Sequence, residues 1–572
     1  MTSPPETSIQ FSRETSYRGW LAALGVSLAT ALLIVSPFFW LGIASGHDIS
    51  FHASSWLDAA GQWKEGIIYP RWTEWANYGF GEPRFLFYPP LSWMLGAALS
   101  LVLPGNAVPG AFIVLAQTLG GMSMFALARR FLSRGPSVFA AASYAANPYA
   151  LLIVYMRSDF AEELAAVFLP LLLLAALQIG GLIENRWQYR RWAIAIFALL
   201  FAAVWLSNAP AGVMATYSMA LLFAWATGRR KSFGPLWRGA AGFALGFGLT
   251  SFYLLPAAYE QRWVNIAQAL SSGLQPSQNF LYTQINDPEH NLFNWIASTL
   301  AVLLMVMTGI AAQTARRSAQ NGEPEGKRKE LWQALLLLSA AATILMLRPS
   351  AILWAHLPKL QFVQFPWRWM GILAVPYAYF GGAVVARKTA SRIWACIVLI
   401  AVAGAGWGMV HKTWWDSDDI PSLQESINND RGFEGTDEYD PAGDDHYNLP
   451  QNAPRLQILP IEDSEARPPK AEIRTERWTS EERDLSVTSS QPAMLALRLL
   501  DYPGWHVSVN GKAVAPGHAE STTQMVFRLS PGVTRIAVSF VRTPDRIYGY
   551  ILSSVSILGL IAILLARTRP QS

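Results

Sequence analysis

Apolar residues run through this chain mostly in blocks of about 18 or more, the length that carries a helix across roughly 30 Å of hydrocarbon. The blocks lie near 20–43, 86–103, 108–128, 136–156, 161–182, 192–207, 209–227, 239–256, 293–313, 331–347, 369–386, 393–410 and 546–566. Short loops rich in Arg and Lys separate many of them. If all thirteen cross, starting inside, then Arg129, Arg130 and Arg134 fall outside and the inversion carries through the chain. Setting aside the block at 86–103 gathers these residues with the basic groups Arg186–Arg191, Arg229–Arg238, Arg316–Lys329, Arg387–Arg392 and Arg567–Arg569. Arg13 and Arg18 agree. The preference of basic loops for the cytoplasm therefore selects twelve spans with both termini inside. The block set aside opens with Tyr88-Pro89-Pro90 and carries Trp93 one turn later, which suits a helix lying along the outer membrane surface.

The pattern changes after Pro469. Alternating apolar and polar positions at 470–476, 485–489, 493–499, 506–509, 525–529 and 534–540 predict strands, with Asn510-Gly511 and Pro531-Gly532 as turns. The predicted architecture is a polytopic α-helical membrane protein of about twelve transmembrane helices, thirteen if 86–103 spans, with a C-terminal extracytoplasmic β-sandwich-like domain. Its parts are a transmembrane domain at 1–410 with a first outer loop at 44–107, a linker at 411–468, the β domain at 469–545, and a final helix and cytoplasmic tail at 546–572. The linker carries Asp416, Asp418, Asp419, Asp437, Glu438, Asp440, Asp444 and Asp445 among Gly and Pro, and reads as an irregular or partly ordered connection.

Composition narrows the function. With 52% hydrophobic and 15% charged residues, the chain of 572 residues is too apolar for an ordinary soluble enzyme. The net charge of +5 sits in the short loops and gives no nucleic-acid surface. Its single Cys396 excludes an intrachain disulfide, and no phosphate-binding loop of an ATP-driven pump appears. The segment Trp20–Ile43 is longer than a signal-peptide core and is expected to remain as an anchor.

With this topology the titratable clusters share the outer face. Gly46-His47-Asp48-Ile49-Ser50-Phe51-His52 follows the first span, Arg157-Ser158-Asp159-Phe160-Ala161-Glu162-Glu163 follows a later one, and Gln364-Phe365-Pro366-Trp367-Arg368-Trp369 precedes another. Charged groups at a membrane boundary mark sites or face water. Each also has a structural reading. Asp48 suits a helix N-cap, and His52, one turn on, either orients Asp48 or is a plain structural imidazole. Asp159, Glu162 and Glu163 suit a helix start, Arg157 pairs with Asp159, and Arg368 suits an interfacial anchor. The tryptophans Trp56, Trp63, Trp72 and Trp75 of the first loop read as interfacial anchors or as the wall of a lipid groove, and Tyr502, Trp505 and His506 as packing or sugar contacts.

This layout resembles the GT-C class of integral-membrane glycosyltransferases. More closely, Gly46–His52, Arg157–Glu162, Gln364–Arg368 and Asp501-Tyr502-Pro503-Gly504-Trp505 resemble bacterial membrane proteins labelled 6-pyruvoyl-tetrahydropterin synthase-related. That label brings no pterin chemistry with it, and no His triad of zinc-binding spacing is present. The GT-C resemblance implies transfer of a sugar from a polyprenyl-phosphate carrier to an extracytoplasmic acceptor, in the cell envelope of a bacterial inner membrane. By the same resemblance Asp48 is the base, assisted by Asp159 and Glu162, while His47, His52, Arg157, Glu163 and Arg368 hold substrate. Asp48 stands alone where the class carries paired acids, and a divalent cation on Asp48 and Asp159 is left open. The competing reading is a non-enzymatic transporter or envelope-assembly protein on the same scaffold.

Overall fold

The computed structural model describes residues 14–183, 190–319, 325–386, 391–444, 446–461, 469–519 and 521–565. Arg13, Arg186, Arg387, Lys388, Asp445, Arg567 and Arg569 lie outside them. Ten described helices are long and apolar enough to cross a membrane: Tyr17–Leu41, Gly105–Ala128, Arg134–Arg157, Phe160–Ile179, Ala209–Arg230, Gly234–Trp263, Pro288–Arg316, Lys329–Met346, Arg392–Lys412 and Pro544–Leu565. The two remaining expected spans are shorter. One is the helix Arg190–Ser207. The other, Met370–Val385, has 16 residues and is buried along almost its whole length between the helices Pro288–Ala319, Arg134–Ala145 and Glu325–Met346. The block at 86–103 forms only the 11-residue helix Pro90–Ser100, too short to cross.

Local sequence sets the turns at the end of the bundle where the clusters gather. Asn208 accepts a hydrogen bond from the Ala211 amide and opens Ala209–Arg230, which makes the tight reversal after Ser207. The segment Arg134–Arg157 is interrupted. Asn147 caps a new helical start at Pro148, and the last turn, Ile153–Arg157, widens to π geometry, with the Ser158 amide reaching back to the Ile153 carbonyl at 2.7 Å. At the opposite end Arg230 bonds Glu330 at 2.5 Å and the Gly181 carbonyl, so basic loops from three helices meet there.

All six expected strands form, within an antiparallel sandwich. A five-stranded sheet runs in the order Ala471–Trp478, Glu482–Ser489, Gly532–Phe540, Trp505–Val509, Lys512–Ala513. A four-stranded sheet runs in the order Leu456–Leu459, Ala493–Leu500, Gln524–Leu529, Gly517–His518. Asn510 and Gly511 take φ of 49° and 77°, the mirror-image turn expected of that pair.

The linker, expected as irregular or partly ordered, holds three ordered pieces: Trp415–Asp416 pairs with Ile43–Ala44, Asp419–Asn428 is helical, and Leu456–Leu459 already belongs to the sandwich. Several of its acids find partners far away in sequence, Asp419 at Ser45, Asp440 at Asn77 and Asp444 at the Thr523 amide, which composition cannot show. One expectation needs correction: Trp56 and Trp72 are fully buried in the protein and so are neither interfacial anchors nor the wall of a lipid groove. Trp72 and Phe80 share one apolar cluster with Tyr502, Trp505 and Phe540, so the first loop completes the core of the sandwich. Gly81, at φ +81°, is required there because a Cβ would stand 2.0 Å from the Trp72 indole nitrogen. Tyr502 and Trp505 are thus packing residues, and the Tyr502 hydroxyl donates to Glu260 at 2.6 Å.

Candidate functional site

Two loops laid against each other build the site. The His47 and Asp48 amides donate to the Met156 and Arg157 carbonyls at 3.3 and 2.8 Å, and the Gly46 amide donates to the Ser158 hydroxyl at 3.1 Å. Only glycine permits this approach, because a Cβ on Gly46 would lie 2.6 Å from the Arg157 carbonyl carbon. Ser158, left-handed at φ 53°, donates its hydroxyl to the Ala44 carbonyl at 2.8 Å and turns the chain into the helix Phe160–Ile179.

This stitching brings Asp48 onto Arg157, with Oδ2 2.5 Å from Nη2. The same guanidinium lies 3.6 Å from Asp159 Oδ2, and Arg368 Nη2 approaches that oxygen to 3.4 Å. Arg368 Nε stands 3.3 Å from Glu162 Oε2, while the Tyr149 hydroxyl donates to Glu162 Oε1. Glu163 turns to the other side of its helix, where Gln117 Nε2 donates to it at 2.5 Å. The Phe365 ring centre lies 5.1 Å from Arg157 Cζ and 4.9 Å from Arg368 Cζ, and the ring stacks on Trp367. The ring gives two like charges a shared apolar face with a negative quadrupole. Six of the eight candidates of the sequence reading, Asp48, His52, Arg157, Asp159, Glu162 and Arg368, meet by side chain in this cluster; His47 joins through its backbone and rests its ring on Phe293 at 4.9 Å, and Glu163 faces Gln117 instead.

Corrections concern His52 and the metal. His52 does not orient Asp48: its Nε2 stands 3.7 Å from Asp159 Oδ1, and the ring is buried among Trp56, Tyr88 and Phe160. The helix it sits on turns the residue at i+4 inward, away from the exposed side chain of Asp48. Asp48 and Asp159 do not face each other across a cation-sized gap, because Arg157 occupies the space between them. Among the described residues no group of three or more His, Cys, Asp or Glu side chains is arranged to hold a metal ion. The donor set does not fit the divalent cation considered from sequence.

The acids differ in environment. Burial pushes the Asp159 carboxyl up, but the His52 imidazole and the guanidinium groups of Arg368 and Arg157 outweigh it and hold it well below the usual carboxylate range. Burial lowers the His47 imidazole, and Arg157 adds to that. Asp48 is the accessible acid, its side chain 30% exposed against 4% for Asp159. Sequence reasoning missed Tyr149, Gln117, Phe293 and Tyr88, whose rings or polar atoms complete the cluster. Tyr88 had a signal, as the aromatic before Pro89-Pro90; the others sit inside apolar runs and gave none.

A bundle of long apolar helices with a charged cluster at one end defines an integral membrane protein. This chain belongs to the family described as 6-pyruvoyl-tetrahydropterin synthase related domain, membrane protein, which matches residues 85–414. No protein of curated function matches it. Among solved structures it is similar to the arabinofuranosyltransferase AftD from Mycobacteria, with 16% identity and a TM-score of 0.44 over 73% of this chain and 29% of that one. It is also similar to the oligosaccharyltransferase AglB of Archaeoglobus fulgidus, solved with an inhibitory peptide and a dolichol-phosphate, with 13% identity and a TM-score of 0.42 over 70% of this chain and 56% of that one. The chain thus spans well under two thirds of the length of either.

Proposed function

We propose that the protein is a membrane glycosyltransferase that moves a sugar from a polyprenyl-phosphate carrier to an acceptor on the extracytoplasmic side of a bacterial inner membrane. The observation that carries this reading is the meeting of one accessible carboxylate, Asp48, with two buried guanidinium groups, Arg157 and Arg368, at a single end of the bundle. The distribution of basic loops supports assigning that end to the outer face. Guanidinium forks suit a phosphate, and a carboxylate beside it suits an acceptor hydroxyl.

In this reaction Asp48 accepts the hydroxyl proton, and the acceptor oxygen forms its bond to the anomeric carbon. The bond from that carbon to the phosphate oxygen breaks, and its electron pair stays on the carrier phosphate beside Arg157 and Arg368. Asp159 is a positioning residue: it neutralises both cations and keeps them at a common site. Transfer from polyprenyl-phosphate sugars by purified protein in lipid nanodiscs tests the reading. Asp48→Asn is expected to lower turnover by about 10²–10⁴-fold, the usual weight of a general base. Turnover unchanged by Asp48→Asn removes Asp48 as base, and no transfer with any carrier sugar favours the non-enzymatic scaffold.

A further inference from the structure

Two carboxylates share Arg157, and they are not equally free to leave it. Asp159 accepts from the Glu162 amide at 3.0 Å as the cap of its helix, lies against Arg368 and His52, and is almost wholly buried. Asp48 occupies the same position before the helix Ile49–Lys64, yet its side chain makes no capping hydrogen bond. It is partly exposed, and its side-chain contact is the one to Arg157. The guanidinium, by contrast, is fixed. It is nearly buried, rests 5.1 Å from the Phe365 ring centre and 5.7 Å from that of Trp367, and its Nε has no hydrogen-bond partner. Arg368 lies over the same ring, but its Nε stands 3.3 Å from Glu162 Oε2 and its Nη2 3.4 Å from Asp159 Oδ2, so it is already paired. An unsatisfied buried donor is costly, and Arg157 Nε is one on the same guanidinium that Asp48 occupies.

We propose that Asp48 is a displaceable occupant of a phosphate seat. The phosphate of the donor takes the place of Asp48 on Arg157, and the freed carboxylate swings to the acceptor hydroxyl. The base is therefore armed only when donor is present. This rests on the transferase reading and adds a control to it. One negative charge replaces another on the guanidinium, so donor binding buries no additional uncompensated anion. Only Asp48 is able to make the exchange, because Asp159 would have to give up its cap, Arg368 and His52 together. Once Asp48 holds the acceptor proton it is neutral and does not compete for Arg157. On losing that proton to water it regains the guanidinium and displaces the spent carrier phosphate.

The test is binding rather than turnover. Full-length protein in nanodiscs is titrated with farnesyl phosphate, and with farnesol to subtract the contribution of the lipid chain. Asp48→Asn and Asp48→Ala are each expected to bind farnesyl phosphate about tenfold more tightly than the parent, the gain from removing one charge-assisted competitor. Arg157→Gln is expected to lose the preference for farnesyl phosphate over farnesol. Both Asp48 variants should stay folded, their melting temperature lowered only by the loss of the Arg157 contact, since neither removes a helix cap. Equal or weaker farnesyl phosphate binding by both Asp48 variants, with the parent still preferring it to farnesol, overturns the exchange and leaves the transferase reading standing. Farnesyl phosphate bound no better than farnesol by the parent and both variants overturns that reading, and the exchange with it.

Discussion

Asp48 and Asp159 hold the same local position, the residue before a helix, and both reach the same guanidinium. What separates them is where the chain goes next. Asp159 follows a π turn and a left-handed Ser158, which sink it between Arg157, Arg368 and His52 and aim Oδ1 at the Glu162 amide. Asp48 follows an extended strand at Ile43–Ala44 and stays at the rim. One aspartate is committed to the helix start and the ion network; the other is held by a single contact. Helix-start chemistry explains Asp159 and fails to explain Asp48. That asymmetry gives the first a structural explanation and leaves the second free for the role proposed for it.

The strongest way to break the comparison is to remove each carboxylate in turn. Asp159→Ala leaves two buried guanidinium groups facing one another with too few anions, and is expected to cost about 3–5 kcal/mol of stability. Asp48→Ala leaves Arg157 beside Asp159 and is expected to cost less, about 1–2 kcal/mol, the weight of one charge-assisted contact. Thermal unfolding in detergent reads the difference, and equal losses would erase the distinction. The pH dependence sharpens it. The Asp159 carboxyl is depressed in the fold, so its stabilisation is complete above the ordinary carboxylate range and drains away as pH falls through its lowered native value. Asp159→Asn should flatten the acid limb of a melting-temperature profile; a limb as steep as the parent's would place that stabilisation elsewhere.

A smaller effect is expected from Gly46→Ala. The added methyl carbon meets backbone, with Met156 O and Ser158 N both 2.7 Å away, so the two loops must part. The expected loss is about 1–3 kcal/mol, with Asp48 drawn off Arg157 and transfer reduced. A variant with parental stability and rate would show that the contact between the loops is dispensable.

Much of this site was legible because its charged residues interrupt apolar runs, where polarity is expensive and conspicuous. Asp48, Arg157, Asp159, Glu162 and Arg368 were visible for that reason, and the strands were visible from their alternation. Partner choice was not. His52 reads as a neighbour of Asp48 by helical spacing, yet the path of the second loop gives it to Asp159. Trp72 reads as interfacial because nothing local shows that a sandwich four hundred residues later needs it in its core. The acids of the linker gave no partners for the same reason: Asp440 is recognised only once Asn77, far away in sequence, donates to it at 3.0 Å. Long-range complementarity leaves no period in a single sequence.

The mildest probe of the comparison lies between the two aspartates, at Ser158. Its hydroxyl donates to Ala44 and accepts from Gly46, so it ties the loop of Asp48 to the loop of Asp159 without touching either carboxylate. Ser158→Ala keeps the backbone contacts of His47 and Asp48 with Met156 and Arg157. It is expected to cost about 1 kcal/mol, the worth of an ordinary hydrogen bond in context. Because the loss falls on the seam alone, the loop of Asp48 should loosen while the network around Asp159 stays intact. Hydrogen exchange at the Gly46 and Asp48 amides should therefore quicken, with exchange at Glu162 and Glu163 unchanged. Quickening at all four amides would mean that the two loops open as one unit, and that Asp48 is no freer than Asp159.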